Sequence, residues 1–115
     1  MATVTICHCE DRQTISGTAF RTFVPTPSDD ICFSGSGIKT YIKIGSSGAR
    51  REQAFCSTCG SAIHATGEGP EPKIYNLRVG VMKEKTDLLP KIQKFLRSSL
   101  PWLQNMKDIP GLNTQ

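Results

Sequence analysis

Two cysteines separated by two residues and followed by a glycine, Cys56-Ser57-Thr58-Cys59-Gly60, form the stretch of this chain best suited to chemistry. A tight turn at this spacing aims both thiols at one point, and Gly60 lets the backbone fold beneath it, as in a zinc knuckle. Structural zinc takes four ligands, so the pair needs partners. The candidates are Cys7 and Cys9 of Cys7-His8-Cys9, near the other end of the chain. Together Cys7, Cys9, Cys56 and Cys59 add up to one tetrahedral site. The alternative is two separate pairs, each binding zinc weakly and finishing its shell with water, His8, Asp11 or His64. The remaining cysteine, Cys32, lies in the apolar run Ile31-Cys32-Phe33 and reads as a small core hydrophobe.

These residues need a scaffold, and 115 residues allow one small domain, read here as spanning 1–115. A hydrophobic fraction of 37% is low for a self-sufficient core, and metal cross-linking would offset that deficit. The first residues lack the charged and apolar regions of a signal peptide, and five cysteines cannot all pair. Reduced thiols in the cytoplasm, with the nucleus as second choice, follow from that reading. No apolar run is long enough to span a membrane. The net charge of +4 comes from scattered Lys and Arg, which reads as a solvated surface rather than a nucleic-acid footprint.

The elements that must position the thiols read as mainly β. Thr3 to Ile6 is β-branched and predicts a strand leading into Cys7. Residues 10–15 show no clear period. Strands are expected at 18–24, 31–33, 38–44, 49–55, 61–65 and 73–79, the last alternating most regularly. Pro25-Thr26-Pro27-Ser28-Asp29-Asp30 reads as a loop. Residues 86–97 carry a helical apolar stripe but are broken by Pro90 and flanked by Pro101, and Trp102 is expected to pack on the core.

Cys7-His8-Cys9-Glu10-Asp11, then Ser16-Gly17-Thr18-Ala19-Phe20, resembles the Cys-His-Cys-x-x-Cys…Ser-Gly-x-x-Phe signature of the glutathione-dependent formaldehyde-activating enzymes. That family shares its domain with centromere protein V. The likeness continues through Phe33…Gly37…Tyr41, Phe55-Cys56-x-x-Cys59-Gly60-Ser61, Leu77-Arg78-Val79-Gly80 and Ser98-x-Leu100-Pro101-Trp102-Leu103. It implies a zinc-stapled β-tent of hairpins and short sheets, with a short strand around 93–97. It also implies a structural zinc shared between an upstream Cys-x-Cys and the pair at Cys56 and Cys59, and a catalytic zinc on Cys-x-Cys-x-x-Cys. Here Cys7 and Cys9 fill the first two catalytic positions, and Arg12 stands at the third. The upstream Cys-x-Cys and its strand would fall before Met1, so the chain reads as N-terminally truncated relative to the family. The edge left unpaired would invite a homodimer.

By this resemblance the chain is expected to be a carbon–sulfur lyase for adducts of a glutathione-type thiol with a small carbonyl compound such as formaldehyde. Cys7 and Cys9 would hold its zinc. Arg12 stays protonated and cannot ligate a metal. It is read either as a solvated surface residue or as a clamp for a substrate carboxylate. The alternative is a catalytically impaired zinc-binding module acting through interaction.

Overall fold

The strands assemble into one sheet that curls around its polar face. The computed structural model describes residues 3–115. The expectation of a further strand ahead of Met1 lies outside the described residues. Seven strands, β1 (Thr5–Cys7), β2 (Arg21–Pro27), β3 (Ile38–Ile44), β4 (Arg50–Cys56), β5 (Ala62–Gly67), β6 (Ile74–Arg78) and β7 (Ile92–Lys94), lie in the order β3-β4-β5-β6-β2-β1-β7. Neighbours are antiparallel except β1 and β7, which run parallel and make the sheet mixed. The expected hairpins at β3–β4 and β4–β5 are there, joined into one continuous sheet rather than several short ones.

Residues directly opposite one another in such a ladder share a face. Tyr41 and Ala65 flank Gln53, Asn76 flanks Ala65, Phe23 faces Arg78, and Cys7 faces Arg21. One face therefore carries Arg21, Arg51, Gln53 and Arg78 together with Cys7. The sheet bends around this face until Lys43 of β3 lies 3.7 Å from Asp11, on the far side of the molecule in sheet order. The opposite face carries His64 and Tyr75, with ring centroids 4.9 Å apart, and Phe33 packs on them at 5.1 and 5.3 Å. The apolar core is small: Val4, Val24 and Val79, with Met82 and Leu88 packed against them.

One helix crosses the open side of the curl. α1 (Glu10–Ser16) begins after Cys9, carries Glu10 and Asp11 in its first turn, and ends at Gly17 with φ of 70°. The two carboxylates suit the positive end of the helix. Gly17 takes the left-handed conformation that closes it, donating its N–H to the Gln13 carbonyl at 3.0 Å. Gln13 also ties α1 down, donating to the carbonyls of His8 at 2.8 Å and Ser98 at 2.9 Å.

Several expectations are corrected. The helix was not expected, because seven residues with no buried side chain leave no periodic trace. Pro25 and Pro27 extend β2 instead of ending it. β1 pairs with β2 only as far as Phe23, so both prolines sit where β2 has a single neighbour. No strand forms at 31–33, and Cys32 is exposed rather than core. Trp102 lies in a 3-10 helix (Pro101–Asp108) and is 47% exposed, so it does not cover the core. The short strand expected near 93–97 is present as β7. Among the described residues no helix is long and apolar enough to cross a membrane.

Candidate functional site

The two thiols at the start of α1 are brought close together. Cys7 ends β1, is 3% exposed and lies between β2 and β7. Cys9 is the residue before α1 and is half-buried. Burial pushes the Cys7 thiol up, the adjoining Cys9 thiol adds to this, and Arg12 pulls the other way. Cys7 is therefore a buried thiol in a cationic setting. His8, between them, points elsewhere: it is 3% exposed, with Nε2 2.8 Å from Gln93 Oε1 and its ring against Phe20. It neither completes a metal shell nor reaches the thiols as a base.

Beside the thiols stands a cluster of arginines that sequence reasoning did not identify. Arg21 and Arg78 are 3% and 7% exposed. They share one acceptor, Gln53 Oε1, at 3.2 Å and 3.1 Å, and Arg78 also donates to the Asn76 carbonyl at 3.1 Å. Burial first, then repulsion from neighbouring guanidinium groups, lowers Arg21 to about 10 and Arg78 to about 9. Arg12 and Arg51 repel both, Arg21 repels Arg78 more strongly than either, and Arg51 is itself lowered by burial and by Arg12. Arg12 is thus no solvated surface residue: it is half-buried, and its Nε is enclosed without a partner. The signal available in the sequence was a charge at alternating positions of two good strands, at 51 and 78. Only the pairing register tells that these positions face inward.

Arg21, Gln53 and Arg78 line a cavity of about 360 Å³, closed by Tyr41 of β3, Phe55 of β4 and Ile15 of α1. Phe55 and Gly60, which flank the second cysteine pair in sequence, lie on its wall. A further cavity of about 320 Å³, reaching Phe20 and Gly80, meets the first across Arg21 and Arg78.

The turn at Cys56 and Cys59 has the form its spacing implies. The Gly60 N–H bonds the Cys56 carbonyl at 2.8 Å and the Cys56 N–H bonds the Ser61 carbonyl at 2.9 Å. Gly60 takes a φ of 78°, which a side chain would strain. A register shift between Ala54 and Phe55 bends β4 just ahead of it. Cys59 is exposed, with Sγ 3.1 Å from Ser61 Oγ, and that hydroxyl lowers its thiol.

Zinc does not fit either pair as the residues stand. Among the described residues no three His, Cys, Asp or Glu side chains are placed to share a metal ion, so the single four-cysteine site is not formed. Each pair offers two donors, one short of the three that a catalytic zinc keeps. The side chains named as replacements are engaged elsewhere. His8 bonds Gln93, Asp11 pairs with Lys43, and His64 stacks on the opposite face. Arg12 and Arg21 also act on Cys7, and their positive field opposes a dication there.

One family model, described as glutathione-dependent formaldehyde-activating enzyme, matches residues 1–98. The segment Leu100–Leu103 lies beyond that match. No curated protein and no solved structure matches the chain.

Proposed function

Because this chain belongs to the glutathione-dependent formaldehyde-activating enzyme family, we propose that it acts on the carbon–sulfur bond of adducts between a glutathione-type thiol and a small carbonyl compound. The observation that carries the reading is the pairing of Cys7 directly opposite Arg21, a residue that lines a concave cationic cavity. The family is one of zinc-binding lyases, but the residues here do not fit the metal, so no step is routed through it.

The arginines would hold the carboxylates of the thiol and stabilise its sulfur as thiolate. In the joining direction the thiolate attacks the carbonyl carbon and the carbon–sulfur bond forms. The carbonyl oxygen takes the proton of Cys7 Sγ, leaving a Cys7 thiolate that the same cations stabilise. In the splitting direction the Cys7 thiolate removes the hydroxyl proton, the carbonyl re-forms, and the electron pair of the carbon–sulfur bond leaves on the thiol sulfur. Cys9 lies within reach of Cys7 and would share its proton. Arg12 would clamp a carboxylate.

Exchange spectroscopy on a mixture of glutathione and carbon-13 formaldehyde tests this. The chain is expected to speed adduct exchange, with and without chelator, and Cys7→Ser to lower that acceleration by about 100-fold or more. A second reading, a binding module without lyase chemistry, is favoured by one observation: Arg12 stands where the family's third cysteine would. Adduct that binds with no faster exchange would select it.

A further inference from the structure

The cysteine pairs do not account for the most costly feature of the concave face, which is its uncompensated charge. Arg12, Arg21, Arg51 and Arg78 come from α1, β2, β4 and β6, four elements remote in sequence, and lie near enough to repel one another, with Arg21 and Arg78 lining the cavity. Buried charges ordinarily persist only when paired. The three ion pairs among the described residues are Lys43 with Asp11, Arg50 with Glu68 and Lys73 with Glu52, and none of them includes these four arginines. No carboxylate is among the groups acting on Arg21, Arg51 or Arg78. Their one shared side-chain acceptor is the neutral oxygen of Gln53, divided between two guanidinium groups. The Nε atoms of Arg12, Arg21 and Arg78 are all enclosed and without a partner. Arg21 and Arg78 are more than nine-tenths buried and line the cavity themselves.

Guanidinium groups present paired N–H donors that match the oxygens of phosphate and carboxylate, and clusters of them are how proteins hold such groups away from water. The cavity, at about 360 Å³, is within the range of small-ligand sites. We propose that this arginine cluster is a binding site for a small dianionic oxyanion, either a phosphate group or a pair of carboxylates, seated between Arg21 and Arg78 with Arg12 and Arg51 closing over it. The site does not depend on lyase chemistry. An anion can be bound here whether or not a carbon–sulfur bond is made or broken, and the bound charge would stabilise the fold by filling an unmet electrostatic demand.

The test titrates the full chain calorimetrically with inorganic phosphate and, separately, with succinate, at ionic strength held constant with chloride. Saturable binding of either ion is expected, with a Kd of about 1 mM or tighter. Whichever ion binds identifies the oxyanion. Gln53→Glu places a carboxylate where both guanidinium groups already converge. It is expected to raise the melting temperature of the free chain and to weaken ion binding at least 10-fold. Arg51→Gln, at a half-buried position, is expected to weaken binding several-fold and serves if Gln53→Glu does not fold. If neither ion binds saturably, or if both bind these variants as tightly as the native chain, the proposal is wrong, even where thiol–carbonyl exchange is accelerated.

Discussion

At the scale of single residues, chemistry and structure separate onto the two faces of the sheet. Cys7 and the arginines occupy the concave face, while His64 is held on the convex one between Phe33 and Tyr75. Burial, followed by Arg78, lowers the His64 imidazole below its ordinary 6.5; Glu52 opposes this and Lys73 adds to it. The unfolded chain then binds the His64 proton at a higher pH than the folded chain does. Stability from this group is complete above pH 6.5 and is lost as pH falls through the folded value. Native protein should therefore melt lower at pH 5.5 than at pH 7.5, and His64→Phe should reduce that difference. An unchanged difference would place the pH dependence elsewhere. Both roles of Cys56-x-x-Cys59 and Cys7-x-Cys9 as close thiol pairs were legible from spacing. The arginine cluster was not, because Arg21, Arg51 and Arg78 share a face only through strand register and Arg12 joins them from α1.

At the scale of elements, what could be read depended on periodicity. β6 alternates clearly and β3 is rich in β-forming residues, and both lie within a residue or so of their expected limits. α1 escaped because its signal is in its ends, acidic residues at the start and glycine at the stop, rather than in an apolar stripe. β2 kept its prolines because the end of β1 relieves them of a second partner, a fact about topology that no local rule supplies. α1 carries Ile15 to the cavity and Arg12 to the neighbourhood of Arg21 and Arg78, so its C-terminal closure bears on the site. At Gly17 an added methyl would meet nothing within 4 Å, leaving the positive φ as the cost. Gly17→Ala should destabilise the chain by about 1 kcal/mol, as measured by urea denaturation. Native stability in that variant would mean that α1 contributes nothing to the folded state.

At the scale of the molecule, the fold trades apolar core for a polar interior. A radius of gyration of 15.2 Å exceeds the roughly 13 Å of a compact domain this long. Trp102, Met106, Ile109 and Leu112 are all exposed in the C-terminal segment. The small valine cluster leaves the sheet's curl to rest on Gln53 joining Arg21 and Arg78, on the Lys43–Asp11 pair and on α1. A metal staple, expected from the low apolar fraction, is replaced in this account by a cavity that calls for negative charge. Elemental analysis of zinc per chain, after dialysis against metal-free buffer, tests that claim most directly. Well under one zinc per native chain is expected, rising toward one in Arg12→Cys, where a third thiol joins Cys7 and Cys9. One or more tightly held zinc ions in the native chain would contradict it.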